Sequence, residues 1–231
     1  WVPGMSRIPT QAIIFDMDGT LTDSEPRHAQ AWAEFARRRR MDVDVPDLMA
    51  RTTGRNGTEC IRELLGREVP QDEADALTRE KEDIYRELFG PRFAEVAGFR
   101  QFARQVADRG LKVAVGTAGD IHNVHFALSH LQMDVQPLAI VRGDEGLPGK
   151  PEPAIFLEAA RRIDVLPQHC IVFEDAPFGI EAARRAGMRA VAVCSTHSPA
   201  QLAGPHVLAA VRDYTELMNT DFLESIHVAT V

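Results

Sequence analysis

Asp16 and Asp18 follow a hydrophobic run in "IIFDMDGTLTDSEP" (residues 13–26), with a third acid at Asp23. Acids crowded at the end of a buried strand repel one another and lose hydration, which costs stability unless an opposite charge compensates. Other groups repeat the placement: Thr117 follows "VAVG", Lys150 sits in "LPGKPEP", and Glu174 and Asp175 close "CIVFED". Asp16, Asp18, Glu174 and Asp175 with one lysine suit a hard divalent cation bound through oxygen. Mg2+, which keeps waters and holds substrate phosphate, fits best. Thr117 and the backbone N–H groups after it, opening a helix, can hold phosphate oxygens. Lys150 can pair with both a phosphate and an acid. One carboxylate can act as a nucleophile toward phosphorus, forming an aspartyl-phosphate, and a second two residues on can serve as general acid and base. Each residue alone has a plainer meaning: an aspartate as a turn or cap, Thr117 as a helix cap, Lys150 as a surface charge. Together, in this order along the chain, they read as one site.

The elements that would converge these groups are visible as short apolar runs alternating with amphipathic stretches, the pattern of a parallel sheet covered by helices. Candidate strands are 12–15, 112–116, 138–141, 170–173, 190–193 and 207–211, and candidate helices are 99–109, 124–131, 153–163 and 179–186. In an open parallel sheet the carboxyl ends of the strands share one edge, where ligands bind. Residues 27–93 break the alternation with helix-like segments "RHAQAWAEFARRRR", "GTECIRELLG" and "DEADALTREKEDIYRELF". In the last, Leu77, Ile84 and Leu88 fall on one helical face. The expected fold is therefore a Rossmann-like, doubly wound α/β core, residues 1–26 and 94–231, with an α-helical cap domain inserted over 27–93. The basic run 37–40 reads as a solvated helix end favoured by the helix dipole.

The chain of 231 residues, 45% hydrophobic and 26% charged, has the size and composition of a soluble protein with one large core or a core plus a smaller domain. A net charge of -8 argues against nucleic acid as a partner. No apolar run approaches a membrane span, and the first residues lack the apolar middle of a signal peptide. The residues ahead of Met5 read as a remnant joined to the chain. Cys60, Cys170 and Cys194 lie in apolar contexts without metal-like spacing, as reduced core residues of a cytoplasmic protein would. The sequence is silent on oligomeric state.

"DMDGTLTDSEP", "VGTAGD", "GKPEPAIF" and "FEDAPFGIEAARRAGM" resemble the four signature motifs of the haloacid dehalogenase superfamily, in its β-phosphoglucomutase-like and sugar-phosphate phosphatase branch. The resemblance implies that Asp16 attacks phosphorus, Asp18 shuttles the proton and gives its backbone carbonyl to magnesium, and Thr117 with Ala118 binds phosphate. It further implies that Lys150 stabilises the phosphoaspartate and that Glu174 and Asp175 complete the magnesium site. The helical insert matches that family's cap; the resemblance implies that His28 and Trp32 match β-phosphoglucomutase positions and that Arg55 and Lys81 lie near that enzyme's cap residues for the distal phosphate.

Asp18 separates phosphate-ester chemistry from dehalogenation and phosphonate cleavage, which need no acid there to protonate an ester leaving group. Between hydrolase and mutase, the loop "TAGDI" favours a phosphatase: Gly119 and Ile121 cannot hydrogen-bond a second phosphate, whereas Asn123 could. The expected activity is a Mg2+-dependent phosphatase of small phosphorylated metabolites, sugar phosphates foremost. A phosphoglucomutase is the alternative within the class, and a non-catalytic phospho-ligand binder the alternative outside it.

Overall fold

Ala12, Ile13, Ile14 and Phe15 are all inaccessible to solvent, as an apolar run must be when helices cover both faces of its sheet. A computed structural model describes residues 8–226, so the expectation for the residues ahead of Met5 falls outside the described residues. The strands are β1 (Ala12–Phe15), β2 (Lys112–Gly116), β3 (Ala139–Val141), β4 (Cys170–Glu174), β5 (Arg189–Val193) and β6 (Val207–Val211). They form one parallel sheet in the order β3-β2-β1-β4-β5-β6. The winding direction reverses between β1 and β4, which opens a crevice at their carboxyl ends.

Side chains alternate across the sheet. Ile13, Phe15, Val113 and Phe173 pack with Phe99, Phe102 and Tyr214 on one face, while Ile14, Ala114 and Val172 meet Ile155, Phe156 and Ile180 on the other. The insert itself holds α1 (Glu25–Arg38), α2 (Val45–Thr52), α3 (Gly57–Leu65) and α4 (Gln71–Phe89). α5 (Phe99–Asp108), α6 (Ile121–Leu131), α7 (Ala154–Arg162), α8 (Pro177–Arg185), α9 (Tyr214–Met218) and α10 (Phe222–Ser225) belong with the sheet. This is the doubly wound, Rossmann-like α/β arrangement, and no helix among the described residues is long and apolar enough to cross a membrane.

The inserted helices carry their own apolar cluster, built on Trp32, Phe35, Leu48, Ile61, Ile84, Tyr85 and Phe89. Local chemistry sets their ends. Asp44 caps α2 with Pro46 in its first turn, and Asn56 with Glu59 makes a reciprocal capping box at α3. The chain leaves the sheet and returns to it side by side: Asp23 N–H donates to Ala94 C=O (2.9 Å) and Val96 N–H to Leu21 C=O (2.9 Å).

Several boundaries differ from the sequence expectation for identifiable reasons. α6 starts at Ile121 rather than 124 because Asp120 caps it, accepting from the Asn123 N–H at 2.8 Å. α8 starts at Pro177 rather than 179, since proline suits a first turn. α2 lies outside the helical segments expected for 27–93, although "DVP" is a start signal. β3 omits Leu138, whose surface is 66% exposed. Leu88 does not share the buried face of Leu77 and Ile84. The end of α4 leans through Tyr85 and Phe89 on Phe126 and Phe93, which turns Leu88 outward. The 37–40 run is exposed as expected, with Arg37 and Arg38 paired to Glu34 and Arg39 to Glu80. All three cysteines are free thiols, but Cys170 alone among them is fully buried.

Candidate active site

Each strand end delivers one part of the site. Asp16 follows β1, and its N–H continues the ladder to the Phe173 C=O at 3.0 Å. Glu174 ends β4, with Asp175 next, and both are about as buried as the sheet itself. Lys150, 1% exposed, reaches in from the loop after β3. It donates to Asp16 Oδ1 (2.6 Å), Glu174 Oε1 (2.7 Å) and the Gly116 C=O (3.2 Å), so its three protons are all directed. Glu174 Oε2 accepts from the Asp175 and Ala176 N–H groups at 2.9 and 3.0 Å.

Two glycines permit this crowding. Gly19 has φ +75°, and a Cβ there would collide with the Asp175 carboxylate; one on Gly179 would collide with that of Glu174.

Oxygens of Asp16, Glu174 and Asp175 lie within 4.8 Å of one another. Were all three carboxylates ionised, the single Lys150 ammonium would leave two buried negative charges uncompensated. The titration of the acids shows that imbalance. Burial, then repulsion from Glu174, pushes Asp16 up to about 8 despite the pull of Lys150. Burial, with Glu174 and Asp16 alongside, pushes Asp175 well above the usual carboxylate range. For Lys150, burial alone would act downward, but Asp16 and Glu174 outweigh it and raise the ammonium above its ordinary value. An oxygen-only donor set short of two positive charges fits a hard divalent cation.

Asp18 stands apart from that trio. Its Oδ1 accepts from the Ser24 hydroxyl (2.7 Å) and the Tyr85 hydroxyl (3.3 Å). His28 Nε2 lies 3.2 Å from the same oxygen, at ion-pair range but off the line of a hydrogen bond. The His28 ring stacks on Tyr85 at 3.8 Å. Lys81 Nζ contacts His28 Nδ1 at 2.7 Å; an ammonium only donates, so Nδ1 accepts and the ring proton sits on Nε2, facing Asp18. Burial would raise the Asp18 carboxyl, but His28, Ser24 and Lys81 together bring it down to about 2. Two aspartates one residue apart thus occupy opposite environments.

Thr117, 1% exposed, ends β2; its Oγ1 accepts the Gly119 N–H at 2.9 Å, leaving the hydroxyl proton free to donate. Ala118 follows it on the wall of a cavity of about 870 Å³ between the sheet edge and the inserted helices. Asp16, Asp18, Thr117, Glu174 and Asp175 line that cavity from below, and His28, Arg55 and Lys81 from above. Lys81 is 3% exposed, over Trp32 at 5.0 Å and bonded to Glu82 at 2.9 Å, which excludes a solvated surface lysine. Arg55 reaches across to Phe178 of α8, 5.6 Å above the ring, and toward Glu63 at 3.4 Å. Asn123 turns its amide to α4: Nδ2 donates to Glu82 Oε2 (2.8 Å) and Oδ1 accepts from Arg86 (2.6 Å).

Sequence reasoning missed the hydroxyls that hold the acids. Thr20 lies 3.2 Å from Asp175 Oδ1 and 3.4 Å from Asp16 Oδ2, one proton shared between them, and Thr196 donates to Asp175 Oδ2 at 3.0 Å. Thr196 follows the carboxyl end of β5, so the strand-end rule that found Thr117 was able to find it. Tyr85 gives no such signal, lying within a helix 67 residues from Asp18.

A parallel sheet with an acid cluster and a buried lysine at its switch point defines an α/β enzyme site. A family model for haloacid dehalogenase-like hydrolases matches residues 10–187, and the chain belongs to that family. It is 36% identical over 185 residues to fructose-1-phosphate phosphatase YqaB of Escherichia coli (strain K12), covering 78% of this chain and 95% of that protein. It is 33% identical over 193 residues to β-phosphoglucomutase of Bacillus subtilis (strain 168), covering 79% and 83%. The crystal structure of a hydrolase from Pseudomonas syringae superposes with a TM-score of 0.81 at 27% identity, over 96% of this chain and all of that one.

Proposed function

We propose that this enzyme is a Mg2+-dependent phosphatase of small phosphorylated metabolites, sugar phosphates foremost, working through an aspartyl-phosphate on Asp16. The observation that carries the reading is the pair of opposed aspartates: Asp16 held by Lys150 inside a cluster short of two charges, and Asp18 held outside it by Ser24 and His28. Asp16 and Asp175, with the Asp18 carbonyl, would hold Mg2+, which when bound neutralises the acids and the phosphate. Asp16 attacks phosphorus while Lys150 and the Thr117 hydroxyl, with the Ala118 backbone, bind the phosphoryl oxygens. An anionic phosphate beside Asp18 raises its proton affinity, so Asp18 gives a proton to the leaving oxygen. It takes one back from the water that cleaves the aspartyl-phosphate.

Residues 27–93 serve in this reading as a cap that excludes water from the crevice. The likeness to fructose-1-phosphate phosphatase supports a phosphatase. The likeness to β-phosphoglucomutase keeps a mutase in view, but Asn123, the amide beyond the Thr117 loop that could bind a second phosphate, is engaged by Glu82 and Arg86. The deciding experiment is phosphate release from a panel of sugar phosphates with Mg2+ and with EDTA, run beside isomerisation of β-glucose 1-phosphate. Phosphate release that requires Mg2+ is expected. Isomerisation without release would establish the mutase, and neither activity from folded protein the binder.

Glu174 has both oxygens engaged by Lys150 and backbone N–H groups, whereas Asp175 accepts only from hydroxyls. Asp175→Asn is therefore expected to weaken Mg2+ binding about tenfold or more, a loss of some 1.4 kcal/mol, and Glu174→Gln considerably less. Calorimetric titration of Mg2+ into the two variants checks this; the reverse order would make Glu174 the direct ligand.

A further inference from the structure

Asn123 sits in the first turn of α6, 3% exposed, with its own N–H bonded to Asp120. Its side chain meets Glu82 and Arg86, four residues apart on one face of α4. An amide offers a donor and an acceptor from one group, so it can satisfy a carboxylate and a guanidinium together. Glu82 passes the contact inward: its Oε1 accepts from Lys81 (2.9 Å), Lys81 donates to His28 Nδ1 (2.7 Å), and His28 Nε2 lies 3.2 Å from Asp18 Oδ1. A run of polar contacts, hydrogen-bonded as far as His28 and at ion-pair range in its last step, thus joins the helix after the Thr117 loop to Asp18 by way of the inserted helices. Separating α4 from α6 would strip a partly buried glutamate and an arginine of their shared partner, at a cost that holds the two helices together. The rings of Tyr85 and Phe89 against Phe126 flank the same contact with apolar surface.

We propose that Asn123, Glu82 and Arg86 are positioning residues, a clasp that fixes α4 on α6 and through Lys81 and His28 sets the orientation of Asp18. The proposal rests on the reading of Asp18 as the proton donor. A displaced Asp18 matters most when the leaving oxygen needs a proton, and least when the leaving group departs easily as an anion. Phenyl phosphate and p-nitrophenyl phosphate differ little in what the cap can hold but strongly in that need, so their comparison reads Asp18 rather than substrate contacts.

N123D keeps the partner of Arg86 but sets a carboxylate against Glu82. It is expected to lower kcat/KM for phenyl phosphate about tenfold and for p-nitrophenyl phosphate less than about threefold, the scale of a contact coupling. Adding E82Q reverses donor and acceptor across the same contact, so N123D/E82Q is expected to return phenyl phosphate turnover to within about threefold of wild type. Equal losses on both esters, no loss in N123D, or a double variant no better than N123D would each overturn the clasp. Amide hydrogen exchange across α4 and the start of α6 reads it without turnover: faster exchange in N123D, restored in the double variant, is expected, and unchanged exchange would refute it. If the wild-type enzyme hydrolyses neither ester with Mg2+, the phosphatase reading fails, and the exchange result alone decides the clasp.

Discussion

Asp16→Asn is expected to abolish turnover while leaving the fold intact. The amide keeps the shape of the carboxylate but is not a competent nucleophile, so the loss in kcat should be on the order of 10⁴ or greater. Stability should barely change. Burial already pushes Asp16 up to about 8, so near neutral pH without metal the carboxyl is mostly protonated, and an amide replaces one neutral group by another of the same size. A change within about 1 kcal/mol is expected in denaturant unfolding of the metal-free protein. Rapid quenching of the wild-type enzyme with substrate, followed by peptide mass spectrometry, should find the phosphoryl group on the peptide containing Asp16 and none in the variant. Substantial turnover by a pure Asp16→Asn sample would end the nucleophile assignment.

The groups found from the sequence share one property: each stands directly after an apolar strand or in the loop beyond it. Asp16, Thr117, Glu174 and Asp175 needed only the rule that carboxyl ends of parallel strands converge, and β1, β2 and β4 bring them together. The surroundings of Asp18 were not legible in the same way. Ser24 and His28 lie on the following turn and α1, but Lys81, Glu82 and Tyr85 arrive on α4, and their pairing is set by how the inserted helices pack. A lysine on an amphipathic helix looks like a solvated charge until the neighbouring ring, imidazole and carboxylate are known. The same reason explains Leu88: period placed it on the apolar face, but the partner surface ends at Phe93 and Phe126. Local rules carry as far as strand ends and helix caps; contacts between layers need the packing itself.

Lys150→Met is expected to damage both stability and catalysis, and the two effects should part when metal is added. The ammonium contacts Asp16, Glu174 and the Gly116 C=O, with Phe156 at 4.7 Å from it. Methionine preserves much of the volume but leaves the buried Glu174 side chain beside Asp16 without its cation, a loss of about 3 kcal/mol or more. For a chain of this size that is a fall in Tm of roughly 6–12 °C. Its sign with pH follows from the acids. Without Lys150 the native pKa of Asp16, already raised to about 8, rises further above its unfolded value, so the native state binds a proton that the unfolded state does not, and stability declines as pH increases between those values. Wild-type Asp16 itself keeps its proton up to about pH 8, so the deficit against wild type should be larger near about pH 9 than near about pH 6. Mg2+ supplies positive charge to the same cluster and should recover part of the Tm. It should not recover turnover, because no donor remains where Lys150 would meet the phosphoryl oxygens. Thermal melts at both pH values with and without Mg2+, beside an assay of phosphate release, test each step. A variant as stable as wild type at the higher pH would mean that the acids lose little with the ammonium, and the charge balance assigned to this site would be wrong.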